Sequence, residues 1–254
     1  MRTRFFLWIF TICISIFPRF SSFAQDINSE GISGTLIAPT YIAQFPFGDL
    51  SDRFGFQNSI GGYLGYKFKK NWTLGIDAYL TFGQKVKDQS MLDEFVEDNG
   101  TLIGNSGFPE PYEFLHRGMN FRLSFGKVFD IIGPNPNSGL WVQFGAGYWQ
   151  HKIIIDVQNG LFPYLSRDYK QGYDRLSSGF ALSQFIGYIH LSDRNFFNFY
   201  VGIEIMEGFL QGRRNYQFDL MGPLNDNRFD GTIGLKFGWI IPVYKEDVTD
   251  FYTY

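Results

Sequence analysis

The chain has 254 residues, with 22 basic and 25 acidic side chains and a net charge of −3. Aromatic residues make up 20% of it, including 30 Phe, and Gly numbers 29. This balance excludes the basic footprint of a nucleic-acid binder, and a lone cysteine, Cys13, excludes a disulfide framework or a thiolate metal site.

The first element is an export signal. Met1-Arg2-Thr3-Arg4 precedes an apolar stretch from Phe5 to Phe17, and Ser22-Phe23-Ala24 places small residues where a signal peptidase reads. Residues 1–24 are therefore expected to be removed, leaving Gln25 as the mature start. The competing reading, an uncleaved anchor, is disfavoured because the apolar stretch falls short of the roughly 20 residues a spanning helix needs. No Cys follows the cleavage site, so a lipoprotein is not expected. Cleavage removes Arg2, Arg4 and Arg19, leaving 19 basic against 25 acidic residues, a net charge of −6.

Eight β-like runs follow, at about 32–45, 57–68, 72–86, 116–129, 139–157, 175–192, 195–212 and 228–243. Residues 25–254 read as one domain, with no linker. Period-two alternation is clearest in the last run, where Phe229, Gly231, Ile233, Leu235, Phe237, Trp239 and Ile241 share one face. Arg228, Asp230, Thr232, Gly234, Lys236 and Gly238 share the other. The third, fourth and seventh runs alternate in the same way, and the first and sixth do so poorly.

The connections alternate long, short, long, short, long, short, long. Lys69-Lys70-Asn71, the Pro/Gly/Asn run from Gly133 to Gly139, and Ser192-Asp193-Arg194 have turn chemistry. The long connections are about 46–56, 87–115, 158–174 and 213–227. Tight turns on one side and long loops on the other are the trace of an up-and-down transmembrane barrel. Alternation alone leaves open a lipocalin-like barrel with its apolar face inside. Unequal connections, a Phe-rich face, and Trp or Tyr near strand ends (Tyr66, Trp72, Tyr148, Trp239, Tyr244) favour the inverted arrangement, apolar face to lipid. In the second long loop, Ser90-Met91-Leu92-Asp93 reads as a capping box, and Met91, Leu92, Phe95 and Val96 predict a short amphipathic helix packed on the rim.

The chain resembles the small eight-stranded outer-membrane β-barrel proteins, in style those of Bacteroidota. The likeness rests on the signal ending in Ala24-Gln25, on the aromatic-Gly strands, and on Lys236-Phe237-Gly238-Trp239-Ile240-Ile241-Pro242-Val243. That run is similar to the terminal signal read by the barrel-assembly machinery, except that Pro242 interrupts it and the chain continues to Tyr254. The resemblance implies an all-β, eight-stranded antiparallel barrel in the outer membrane. It implies as partners the barrel-assembly machinery during biogenesis, outer-membrane lipids and lipopolysaccharide, and a larger secretion or assembly complex onto which the barrel docks.

Inward charges at Lys67, Asp77, Arg122, Glu204, Asp230 and Lys236 predict an ion-pair network plugging a narrow lumen. Arg213, Arg214 and Arg228 cluster where the seventh and eighth strands meet the outer leaflet and are expected to contact lipopolysaccharide phosphates, or else Asp219, Asp226 and Asp230. His190-Leu191-Ser192 resembles the His-x-Ser spacing of lipid A deacylases, with Asp193 as an orienting acid, yet it falls at the short-turn end. His116, His151 and Glu113 are a second candidate, for a metal, with rim hydration as the plainer reading. Acidic residues in the second loop (Asp88, Asp93, Glu94, Glu97, Asp98, Glu110, Glu113) lack dedicated calcium-loop spacing and read as a solvated face. Gly145-Ala146-Gly147 lacks a nucleotide-loop context and reads as lumen packing. No cofactor motif is present. The expected role is a non-enzymatic structural or accessory subunit, with a lipid-modifying or proteolytic barrel enzyme as the alternative and a secreted lipocalin-like binder as a third reading.

Overall fold

In the computed structural model, residues 31, 33–93, 95–96, 102–103, 108–157, 169–192 and 197–244 are described. The expected signal peptide, Asp193, and Glu94, Glu97 and Asp98 lie outside them. The strands are β1 (Gly34–Gly48), β2 (Gln57–Lys67), β3 (Trp72–Gly83), β4 (Leu102–Ile103), β5 (Pro109–Glu110), β6 (Tyr112–Phe129), β7 (Gly139–Val157), β8 (Ser177–His190), β9 (Phe199–Gly212), β10 (Asn227–Trp239) and β11 (Ile241–Tyr244). β4 and β5 form a small hairpin within the long connection after β3.

The other strands pair antiparallel with their sequence neighbours, and β10 closes back on β1. β10 and β11 are one barrel strand broken at Ile240. Thr40 opposes Gly238 and Ile37 opposes Ile241, so the register runs unshifted across the break. Pro242, which has no N–H to donate, falls in the short terminal stretch opposite Leu36, so the interior of the ladder is spared the interruption. The result is an eight-stranded, up-and-down, closed barrel.

Following the registers from Gly34 through Lys67, Thr73, Gly126, Gln143, Phe185, Glu204 and Gly234 returns to β1 at Gln44. That stagger, with ordinary strand spacings, tilts the strands by about 40° and makes a narrow barrel that side chains fill.

Alternation decides the two faces. Leu74, Leu80, Phe121, Leu123, Phe144, Phe180, Ile186, Ile203, Leu235 and Phe237 are exposed on the outer wall, whereas Asp77, Arg122, Glu204 and Lys236 are buried. A soluble lipocalin-like barrel would have the opposite arrangement. Trp72 stacks on Phe125 at 4.9 Å, and Lys127 Nζ lies 5.0 Å from the Trp72 ring, an amphipathic cluster at the short-turn end. β1 and β8, weakly patterned in sequence, take regular registers because both neighbours impose them.

Several edges differ from expectation. β1 runs to Gly48, β6 begins at Tyr112, and β9 begins at Phe199 rather than at 195. The expected amphipathic helix is a single 3₁₀ turn, Ser90–Leu92, without a side-chain cap bond: Ser90 Oγ turns instead to Asp88 Oδ1 at 2.8 Å. Its Met91 and Leu92 are nevertheless fully buried, as packing on the rim requires.

Candidate functional site

At mid-height the lumen holds Asp77 (β3), Arg122 (β6), Glu204 (β9) and Lys236 (β10). Arg122 Nη2 donates to Glu204 Oε1 at 3.1 Å. Lys236 Nζ donates to Glu204 Oε2 at 2.8 Å and to Asp77 Oδ1 at 3.1 Å. The two cations and two anions balance, as burial in so narrow a space demands. The long side chains have room because a glycine faces each in the register: Gly147 opposite Arg122, Gly202 opposite Lys236 and Gly234 opposite Glu204. Lys236 Nζ also lies 5.2 Å from the Tyr79 ring and 5.3 Å from that of Phe185.

Below the charges, toward the short turns, lies an apolar layer: Leu36, Ala38, Tyr63, Val128, Trp141, Phe185, Ile189, Leu191, Tyr200 and Ile240. Trp141 packs edge-on against both Tyr63 and Tyr200, and its Nε1 donates to Thr73 Oγ1 at 3.1 Å. The rings lie flat against the wall only where it lacks side chains. A Cβ on Gly65 or Gly75 would stand within 2.4 Å of the Tyr63 ring system.

The connection 130–138 folds across this end as a floor. Asn71 Nδ2 donates to Pro136 O at 2.7 Å, Lys67 Nζ to Asn137 Oδ1 at 2.7 Å, and Asn135 Nδ2 and Ser138 Oγ to Leu191 O at 2.7 and 3.0 Å. All three short turns are thus tied together. Sequence reasoning took Gly133 to Gly139 as a plain turn and missed this role; the run Asn135, Asn137 and Ser138 beside Pro134 and Pro136 was the available signal.

Above the charges, the long connections fold inward. Helix α1 (Leu50–Arg53) and Phe54 insert from the first loop, joined by Val86, Met91, Leu92 and Leu102 from the second. They pack on Trp149, Ile153, Met206 and Leu210 of the wall. Phe54 stacks on His116 with ring centroids 3.9 Å apart. Arg53 Nη1 donates to Ser177 Oγ at 3.1 Å and reaches Arg175 O at 3.5 Å. Burial, and after it the neighbouring Arg228 guanidinium, draw the Arg53 pKa down to about 10.

No family model matches this chain. No curated protein matches it either. Among solved structures, Neisserial surface protein A aligns with 13% identity and a TM-score of 0.41, over 83% of this chain and 99% of that one. The attachment invasion locus protein Ail of Yersinia pestis aligns with 15% identity and a TM-score of 0.37, over 84% and 99%. Ail was solved alone and with the heparin analogue sucrose octasulfate. These neighbours are small outer-membrane β-barrels. The architecture of this chain rests on its own registers and burial.

Of the six charges expected in one network, Asp77, Arg122, Glu204 and Lys236 come together. Lys67 and Asp230 lie apart from them. Lys67 serves the floor. Asp230 belongs to the upper end, where it shares a 2.7 Å hydrogen bond with His151 Nε2 and pairs with Arg228 at 3.1 Å. The reason is axial: a shared face says nothing about height, and six residues along β10 set Asp230 roughly 20 Å of strand away from Lys236.

Arg214 pairs with Asp174 through Nε at 2.8 Å, a bond that raises its pKa above the usual arginine value. Arg228 also donates to Asp49 O at 2.6 Å. Arg213 is exposed and donates to Ser178 Oγ at 3.0 Å. Asp219 is taken by Arg175.

His116 and His151 are buried within the lumen, not hydrated at the rim, with ring centroids 5.9 Å apart. Glu113, three residues before His116, falls on the outer face and cannot join them, since side chains alternate with period two. Among the described residues no group of three potential metal ligands forms. His190 stacks on Tyr188 at the short-turn end, and Ser192 N donates to Asn198 Oδ1 at 2.6 Å.

Proposed function

We propose that this chain is an outer-membrane barrel, exported by the signal in residues 1–24, that acts as a non-conducting structural or accessory subunit of the envelope. The observation that carries this reading is the filling of the lumen. A balanced ion cluster lies between two apolar layers, with a polar-bonded floor below and an inserted lid above. An ion crossing such a barrel would have to displace aromatic rings at two levels and break a buried charge cluster, either of which costs several kcal/mol.

The lipid-facing wall suits the same reading. Its apolar residues would be a liability in water and are the ordinary belt of a membrane barrel. With the interior filled, the surfaces left for partners are the outer wall and the loops, so the work of the protein is binding within the membrane. Docking onto a larger secretion or assembly complex fits that geometry.

The experiment is purification of the tagged protein from native membranes in mild detergent, with identification of what co-purifies, together with planar-bilayer recording. A stoichiometric protein partner and a silent bilayer are expected. Steady single-channel conductance would overturn the plug. Turnover of a lipid or peptide substrate by the purified barrel would replace the accessory role with an enzymatic one.

A further inference from the structure

On the outer wall, Arg117 of β6 and Lys152 of β7 stand directly opposite each other in the register. Both point away from the lumen, because they alternate with His116 and His151, which are buried inside. Arg117 Nη1 donates to its neighbour's carbonyl, His116 O, at 2.8 Å. Among the described residues neither cation has a carboxylate within ion-pair distance. Like charges directly opposite in a ladder repel, so this pair is an arrangement that an anion would stabilise. The next charged pair toward solvent, Glu113 opposite Asp156, is acidic but four residues further along each strand, roughly 13 Å away at ordinary strand rise.

The cations stand at the top of an apolar notch. One step down the same face are Met119 and Gln150, then Phe121 and Tyr148. Here Ala78 lies between Gly62 and Phe121 in the sheet, and the missing bulk opens a groove of about 510 Å³ lined by Ile60, Ala78, Leu80, Met119, Phe121 and Tyr148. The cation row continues on the other side. Arg213, also without a carboxylate among the described residues, hydrogen-bonds through its backbone to Leu176, which precedes the Ser177 that opposes His151.

We infer that this wall is a binding site for a phosphorylated lipid of the outer leaflet: the phosphate bridges Arg117 and Lys152, and an acyl chain lies in the groove beneath. A guanidinium supplies paired donors to phosphate and an ammonium supplies a compact charge. Arg214 and Arg228 take no part in this site, since both already hold carboxylates. The site rests on the membrane-spanning reading above.

The test is native mass spectrometry of the full chain reconstituted with a bis-phosphorylated, acylated glucosamine disaccharide, against the same lipid without phosphates. Wild type is expected to retain the phosphorylated form. The double variant Arg117→Gln/Lys152→Gln should retain it about thirtyfold less, the loss expected for two interfacial cations, and Arg117→Lys/Lys152→Arg should restore most of it. Ala78→Trp, which fills the groove and leaves both cations, should also lower retention. Equal retention by the double Gln variant, in a barrel that still shows the mobility shift on heating of a folded barrel, would overturn the site. So would displacement of the lipid by an equal concentration of inorganic phosphate, which would make free phosphate the ligand. Failure of the wild-type chain to insert into vesicles at all would overturn the membrane reading beneath it.

Discussion

Arg122 on β6 and Glu204 on β9 meet at 3.1 Å inside the barrel, although β7 and β8 separate them in the ring. The contact therefore spans the lumen and ties opposite walls together. Removing one member leaves an unpaired buried charge. Glu204→Leu, which takes the ion-pair partner from Arg122 and leaves Lys236 with Asp77 alone, is expected to destabilise the barrel by about 3–5 kcal/mol. The double change Arg122→Met/Glu204→Leu, which removes one charge of each sign, should cost clearly less. Urea unfolding from detergent micelles, followed by tryptophan fluorescence, checks the order.

The floor and the aromatic layer seal the same end by different means. Ser138→Ala removes a hydroxyl that donates to Leu191 O and accepts from Leu191 N, at 3.0 and 2.9 Å. A loss of about 1–3 kcal/mol is expected, with a buried backbone group left unsatisfied. Bilayer recordings should stay silent, because Trp141, Phe185 and Tyr200 still fill the section above. Conductance from Ser138→Ala alone would show that the floor, and not the aromatic layer, is the seal.

The lid makes a separate prediction. Phe54 carries the first loop into the lumen by stacking on His116 and packing edge-on to His151. Phe54→Ala should raise amide hydrogen exchange across residues 49–56 while leaving the strand amides of β6 and β7 protected. The reason is that the strand ladders do not depend on the loop, whereas the loop depends on that ring. Unchanged exchange in the loop would mean that Leu50 and Arg53 hold it without Phe54.

The orientation of the wall is also testable. Leu235 stands on the outer wall at 63% exposure, and its chain neighbour Lys236 is 1% exposed. Leu235→Lys is expected to cost about 2–4 kcal/mol for folding into vesicles, the penalty for a cation on the lipid face near mid-membrane. In a barrel facing water the same change would be almost neutral, so the measured folding free energy in lipid separates the two.

Much of this architecture is written locally in the chain. Period-two alternation in β3, β6, β9 and β10 settled which side chains share a face, and turn chemistry against long connections settled the strand count and which ends are tight. Both signals are short-range, since they depend on neighbours one or two residues away. Glu113 falls within the expected loop 87–115, and only the start of β6 at Tyr112 lets the period-two count exclude it from the His116 side.

Height along the barrel axis was not legible in the same way. It depends on stagger accumulated around the whole ring, from Gly34 back to Gln44, and no local pattern records it. That stagger brought Asp77, Glu204, Arg122 and Lys236, from four strands, to one level. It also set Arg117 beside Lys152 above the notch at Ala78. The sequence by itself determined a strand-by-strand barrel with charges on its inner face. Only the tertiary structure decided which charges meet, how loops and turns close the two ends, and which cations are left unpaired on the outer wall among the described residues, because partners from distant strands are chosen by register and tilt.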